Sequence, residues 1–286
     1  IAIEKRGMIM KEMKVGLQLF SVREDLKQDM EAALSKVKEI GYDYVEAAGF
    51  LGNGPKEFRA MLDKYDLKAI SIHRGPEPFL KDGQASIEEL KEIGVEYCAI
   101  PWYPVEKLKG TDAWEETVKT FIEYGEALKE NGIQLMYHNH DFEFHKFEGK
   151  FLLDWLYETI PADILMPQID TCWVHYAGYD PCGYIKKYNG KMKTLHLKDF
   201  VCKNLGGGPV YELIGDEGDA ARTASREDNG FEFMPVGYGI QDFPAILETA
   251  GKAGIEYLIV EQDESKGRPA MEAAKMSRNY LKSLGY

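Results

Sequence analysis

Short apolar runs alternate with longer amphipathic stretches along almost the whole chain. The first run is Val15–Phe20, and the stretch Leu26–Ile40 that follows it carries apolar residues at the spacing of a helix face. Gly41 comes directly after this stretch, at a position where many helices end. The pattern therefore predicts a strand followed by a helix, and the same pattern recurs to the end of the chain.

Eight such pairs follow one another. The predicted strands are Val15–Phe20, Asp43–Ala48, Lys68–His73, Tyr97–Trp102, Gln134–Asn139, Leu165–Asp170, Lys193–Lys198 and Tyr257–Gln262. Strict alternation of strands and helices requires parallel strands joined by right-handed crossovers. Eight units in 286 residues indicate an α/β fold, namely a (β/α)8 TIM barrel in a single domain, rather than an open sheet.

Two segments depart from this alternation. Residues 1–13 precede the first strand and mix charged and apolar positions, so we expect an N-terminal tail followed by a barrel over residues 14–286. Predicted strand 7 and its helix are separated by a long loop insertion at about residues 200–240. Because long loops in compact domains are commonly functional, we interpret this insertion as a lid over the barrel mouth.

Charge and composition narrow the classes of partner. The chain has 48 acidic and 35 basic residues and a net charge of −13. Such a surface repels nucleic-acid phosphates and anionic lipid, so we expect neither nucleic acid nor membrane as a partner. With no apolar run long enough to span a bilayer, we expect a cytoplasmic protein. A removed leader stays open, because the first residue is not Met.

Polar side chains concentrate where the predicted strands end. In TIM barrels these carboxyl ends build the active site. A single histidine in a strand is commonly a core residue, but five of the six histidines fall at or just beyond strand ends. The candidate side chains are Gln18, Glu46, His73, Arg74, Trp102, His138, His140, Asp170, His196, Lys198 and Glu261.

Four of these side chains suit a metal ion. Asp170, His196 and Glu261 follow the apolar cores of neighbouring strands 6, 7 and 8, and His138 on strand 5 supplies a fourth ligand. Mixed nitrogen and oxygen ligands suit transition metals better than Ca²⁺ or Mg²⁺. We therefore predict a divalent metal cofactor, with Mn²⁺, Zn²⁺ and Co²⁺ favoured.

Seven segments taken in order carry a resemblance to a known family. The segments are VGLQLFSVRED, YVEAAGF, YHNHDFEF, QIDTCWVHYAG, TLHLKDF, PVGYGIQDF and YLIVEQD. The chain resembles the sugar phosphate isomerase/epimerase group of the xylose-isomerase-like barrel superfamily, which also includes ketose 3-epimerases, inosose dehydratases and endonuclease IV. In the ketose 3-epimerases the metal ligands are Glu, Asp, His and Glu. The last three match Asp170, His196 and Glu261, whereas His138 replaces the first glutamate.

The resemblance implies a divalent-metal-dependent isomerase or epimerase that acts on a sugar or keto-sugar through a metal-stabilised enediolate. Glu261 would be the base if burial offsets the effect of the cation on its pKa. Either Glu143 or Glu46 could replace the missing glutamate.

The predicted catalytic residues are Glu261, His138, His140 and Glu143. The predicted substrate contacts are Gln18, Glu46, His73, Arg74, Trp102 and Lys198. An apolar wall for the sugar is predicted from Phe20, Trp102, Tyr103, Trp173 and Tyr176.

Other functions stay open. A keto-sugar or keto-inositol dehydratase is favoured by His138, because elimination needs an acid distinct from the base. A non-catalytic sugar-binding barrel is the third interpretation, while the net charge of −13 argues against a DNA-repair endonuclease. We expect a small-molecule carbohydrate as the binding partner. Barrels of this superfamily are often oligomeric, so a homo-oligomer stays open.

Overall fold

Eight parallel strands close into a barrel in the computed structural model. The structure describes residues 12–206 and 228–286, and the backbone of residues 3–5 and 8–10. Each strand pairs with the next in the chain, and β8 pairs with β1. The predicted (β/α)8 TIM barrel is therefore confirmed. The strands are β1 Lys14–Gln18, β2 Tyr44–Ala48, β3 Lys68–His73, β4 Tyr97–Ile100, β5 Gln134–His138, β6 Leu165–Asp170, β7 Thr194–Leu197 and β8 Tyr257–Val260.

The register of the strands brings polar side chains to the same level of the barrel. Asp170 on β6 pairs with His196 on β7. Gln18 on β1 pairs with Glu46 on β2. Because neighbouring strands in a closed barrel are fixed by their hydrogen bonds, side chains that are far apart in the sequence become neighbours near the mouth.

Helices connect successive strands. Their ranges are Arg23–Gln28, Met30–Ile40, Pro55–Lys64, Glu77–Lys81, Gly83–Ile93, Trp114–Glu130, Leu152–Thr159, Thr171–Tyr176, Pro181–Lys187, Phe243–Ala253 and Ala270–Ser283. Among the helices of the described residues, none is long and apolar enough to cross a membrane.

The first connection shows why these helices form where they do. Met30–Ile40 buries one apolar face and ends at Gly41, which adopts a left-handed conformation with φ 103°. The predicted single helix Leu26–Ile40 is interrupted at Asp29. This residue is extended, and its side chain accepts a hydrogen bond from the backbone N–H of Ala32 at the start of the second helix.

The predicted tail and insertion are described only in part. Residues 1, 2, 6, 7 and 11 lie outside the described residues, and Ile3–Lys5 pairs antiparallel with Met8–Met10. Met13 is buried in the barrel core, one residue before the predicted boundary. In the insertion, Asp199–Val201 pairs antiparallel with Glu232–Met234. The predicted lid falls largely on residues 207–227, which lie outside the described residues, so it stays a prediction.

Candidate metal centre

Four buried side chains at the ends of four consecutive strands, β5 to β8, meet at the barrel mouth. One ligand atom each from His138, Asp170, His196 and Glu261 lies within 4.8 Å of the other three. His138 Nε2 is 3.8 Å from Asp170 Oδ2 and 4.0 Å from Glu261 Oε2. His196 Nδ1 is 2.9 Å from Glu261 Oε2. The structure therefore brings the four predicted metal ligands together.

The carboxylate of Asp170 is divided between two tasks. Its Oδ1 accepts hydrogen bonds from the backbone N–H groups of Cys172 and Trp173 and so caps the helix Thr171–Tyr176. Its Oδ2 is buried and accepts no hydrogen bond from the described residues, although Lys198 Nζ lies 3.2 Å from it. A buried carboxylate oxygen without a hydrogen bond is uncommon, so Oδ2 is the oxygen of Asp170 that is available to a metal ion.

The charges of the site also suit a cation. Lys198 is the ammonium within the cluster, and its Nζ lies 3.2 Å from Asp170, 3.0 Å from Glu261 and 3.1 Å from Asp263. Glu46 adds a fourth buried carboxylate. Buried carboxylates without balancing charge are costly, and a divalent ion would offset them. The mixed nitrogen and oxygen donors therefore fit a divalent transition metal.

The two acids that follow β8, Glu261 and Asp263, differ in their electrostatic surroundings. Burial raises the pKa of Glu261, but Lys198 and His196 outweigh burial and hold that pKa well below its ordinary value. Burial raises the pKa of Asp263 to about 6 despite Lys198. A carboxylate whose pKa is depressed stays ionised, which suits a metal ligand. The role of Glu261 as the base stays a prediction.

A cavity of about 430 Å³ opens beside the cluster. Its volume is in the range of small-molecule sites. The polar part of its lining comes from the ends of β3, β5, β7 and β8, and the apolar part comes from the ends of β1, β2 and β4. The lining residues are Phe20, Ala48, Gly49, His73, Pro101, Trp102, His138, His140, Lys198 and Glu261.

A larger depression, of about 570 Å³, lies at the opposite end of the barrel. It is lined by surface charges such as Lys38, which pairs with Asp43 and Asp66. Within residues 12–206 and 228–286, no group of three potential metal ligands falls there. The cavity at the mouth is therefore the candidate site, despite its smaller volume.

Three predicted substrate contacts are placed away from the cavity wall. Gln18 and Glu46 are fully buried, and Gln18 Nε2 donates to Glu46 Oε1 at 2.8 Å. Arg74 forms an ion pair with Glu89, and its guanidinium stacks 5.0 Å from the ring centre of Phe50. Direct contact of these three residues with substrate has no support from the geometry, whereas His73, Trp102 and Lys198 line the cavity.

Glu143 supports the loop after β5 and does not line the cavity. The Tyr137 hydroxyl donates to its Oε1 at 2.6 Å, and the backbone N–H of His140 donates to its Oε2 at 2.7 Å. Burial raises the pKa of Glu143 to about 8. The chain turns into the 3-10 helix Phe142–Phe144 directly after the strand, so strand alternation does not apply there. The geometry supports a positioning role, and the predicted catalytic role of Glu143 has no support.

Sequence reasoning missed some residues of the site. Asp263 contacts Lys198, and it could have been found because it lies two residues after Glu261 and so on the same side of an extended chain. Ala48, Gly49 and Pro101 line the cavity but carry no chemically active group that would signal a site. Of the predicted aromatic wall, Phe20 and Trp102 line the cavity. The other three pack in the buried core.

Comparison with protein families gives a match over most of the chain. Residues 34–284 match the family described as xylose isomerase-like TIM barrel. The sequence is 26% identical over 284 residues to a protein named inosose dehydratase from Geobacillus kaustophilus (strain HTA426), with 89% of this chain and 87% of that protein covered.

Two solved structures share the fold. One is a sugar phosphate isomerase/epimerase from Parabacteroides distasonis ATCC 8503, with a TM-score of 0.74, 23% identity and coverage of 96% of this chain and 97% of that one. The other is described as the IOLI protein with a binding zinc atom, with a TM-score of 0.66, 16% identity and coverage of 95% and 98%. At these identities the likeness shows the fold alone, and the zinc is a property of that protein.

Proposed function

Because the chain belongs to the xylose isomerase-like TIM barrel family, we propose that it is a divalent-metal-dependent dehydratase that removes water from a cyclic polyhydroxy ketone of the inosose type. The name of the Geobacillus relative favours this alternative over the isomerase or epimerase that the sequence predicts first. The observation that carries the proposal is the cluster of four ligands opening onto a cavity that also contains His140 and Lys198.

The metal would be held by His138, Asp170, His196 and Glu261. A divalent ion supplies Lewis acidity, which polarises a carbonyl group and makes the neighbouring C–H bond more acidic. The chain's own residues must then move the proton, stabilise charge on oxygen and orient the ring.

His140 is the residue best placed to move the proton. It lines the cavity, and burial together with Lys198 lowers its pKa well below the ordinary value, so the imidazole is neutral at physiological pH. A neutral imidazole accepts the proton on the carbon next to the carbonyl. The resulting imidazolium then donates that proton to the hydroxyl on the β carbon, so His140 serves as base and acid in turn and the separate acid expected from His138 is not required. The C–H and C–O bonds break, a C=C bond forms, and one water leaves without any oxidation or reduction.

Lys198 and the aromatic wall orient the substrate. The Lys198 ammonium lines the cavity and can donate a hydrogen bond to the oxygen on which negative charge grows. Phe20 and Trp102 also line the cavity, and their aromatic rings suit the C–H face of a substrate ring. In this arrangement Glu261 is a metal ligand, and the imidazole of His140 transfers the proton.

The test is to incubate the protein with Mn²⁺, Co²⁺ or Zn²⁺ and a panel of keto-inositols and keto-sugars, and to follow the products by mass spectrometry. A dehydratase gives a product lighter by one water, and His140→Gln loses at least about 100-fold in kcat. His145→Gln, at an exposed histidine outside the cavity, is the matched control and keeps its activity. A product of unchanged mass identifies an isomerase or epimerase instead. Metal binding without turnover identifies a sugar-binding barrel. Both outcomes contradict the proposal.

A further inference from the structure

Glu46 is a fully buried carboxylate beneath the metal centre, surrounded by donor groups from four other strands. Together these donor groups hold both carboxylate oxygens. Oε1 lies 2.8 Å from Gln18 Nε2, 2.7 Å from His196 Nε2 and 2.8 Å from His73 Nε2, and Oε2 lies 2.6 Å from Ser71 Oγ and 2.7 Å from Gln168 Nε2.

These contacts fix the orientation of Glu46. The hydroxyl of Ser71 and the amide of Gln168 hold Oε2, and Oε1 faces the amide of Gln18 and the imidazoles of His73 and His196. Hydrogen bonds to a charged acceptor are about twice as strong as neutral ones, so this orientation is rigid.

The two ring nitrogens of His196 contact different carboxylates. Its Nε2 is 2.7 Å from Glu46, and its Nδ1 is 2.9 Å from Glu261 in the ligand cluster. A neutral imidazole carries one N–H, and the nitrogen that binds a metal must be the other one. A carboxylate that accepts the Nε2–H therefore leaves the lone pair of Nδ1 for the ion.

We propose that Glu46 is a positioning residue that holds His196 in the Nε2–H tautomer, so that Nδ1 binds the metal. This inference rests on the proposed metal centre and assigns Glu46 a role that does not involve substrate. Metal ligands commonly depend on such carboxylate partners, and loss of the partner weakens metal binding by about 10- to 100-fold.

The first test measures Co²⁺ affinity by competition with a chelator, independently of catalysis. Glu46→Gln keeps the shape of the side chain but removes its charge, and we expect Co²⁺ binding about 10- to 100-fold weaker with the stoichiometry unchanged. Ser71→Ala is the matched control. It removes one donor to Glu46 and leaves the contact with His196 intact, so its loss of affinity is much smaller.

The second test needs no variant. Nuclear magnetic resonance of ¹⁵N-histidine in the Zn²⁺-loaded wild type should show His196 protonated at Nε2 and bound to zinc through Nδ1. Zinc bound through Nε2 of His196 would overturn the inference. An unchanged Co²⁺ affinity in Glu46→Gln would also overturn it. Neither result would contradict the metal centre. A wild type that binds neither ion overturns the metal centre itself, and the inference with it.

Discussion

Lys198 Nζ lies 3.0 Å from Glu261 Oε2, so an ammonium group sits inside the ligand set of the candidate metal centre. The same nitrogen is 3.2 Å from Oδ2 of Asp170. Lys198 is 1% exposed and comes two residues after His196 on β7, which fixes its direction into the barrel. The ammonium therefore both balances the carboxylates and repels any cation that binds to them.

Replacement of Lys198 by Met is expected to tighten metal binding while lowering activity. The substitution removes the repelling charge but keeps a side chain of similar length. The Co²⁺ affinity should rise at least about tenfold, because tenfold corresponds to only about 1.4 kcal/mol and nearby charges in a protein interact by at least that much. The kcat on a keto-inositol should fall, because the growing oxyanion loses its donor. Chelator competition and steady-state kinetics measure the two effects, and weaker Co²⁺ binding would count against this assignment.

Two substitutions at Asp170 should separate its two tasks. Asp170→Asn keeps an oxygen that can cap the helix Thr171–Tyr176, whereas Asp170→Ala removes the cap. Both should lose metal, and Asp170→Ala should be less stable than Asp170→Asn by about 1 kcal/mol. Urea unfolding of the metal-free proteins gives the difference. Equal stability of the two variants would show that the cap contributes nothing.

Stability should depend on pH through Glu143. Its pKa in the folded protein is raised to about 8 from an ordinary value of 4.5, so the folded state keeps a proton that the unfolded state releases. The stabilisation is fully present below pH 4.5 and is lost as pH rises towards 8, with a slope of up to about 1.4 kcal/mol per pH unit. Urea unfolding between these pH values should show a flatter dependence for Glu143→Gln than for wild type. Identical slopes would refute the raised pKa.

Trp102→Ala should weaken substrate binding without affecting the metal. Trp102 lines the apolar side of the cavity, and loss of its buried area costs about 1–2 kcal/mol of substrate contact. The KM for the keto-inositol should rise about tenfold or more, with Co²⁺ affinity unchanged. Trp155→Phe is a control, because Trp155 hydrogen-bonds the carbonyl of Phe147 and lies outside the cavity lining. An unchanged KM in Trp102→Ala would place the substrate elsewhere.

The sequence predicts the fold and the ligand cluster well because both follow from local pattern. Alternation of apolar runs and helical stretches identifies all eight barrel strands. Residues at strand ends, such as Asp170 and His196, then become neighbours because parallel strands in a barrel are paired in register. The predicted ligands converge for that reason, and no long-range information is needed.

Three predicted site residues lie outside the cavity lining, and their positions depend on contacts that local pattern does not contain. Arg74 follows β3 directly, but its guanidinium turns to Glu89 on the helix Gly83–Ile93. Glu46 lies on β2 at a level where neighbouring strands supply enough donors to bury it completely. Glu143 follows a turn, so strand alternation cannot give its direction. In each case the partner is distant in the sequence or the backbone changes conformation.

The most direct test of the metal centre is the metal content of the purified protein after incubation with Mn²⁺, Co²⁺ and Zn²⁺, measured by elemental mass spectrometry. The comparison is with an Asp170→Ala/Glu261→Ala double variant whose fold is checked by circular dichroism. The centre described here predicts near one equivalent of a divalent metal in the wild type and almost none in the double variant. A wild type that stays empty with all three ions, or a double variant that retains the metal, would contradict it.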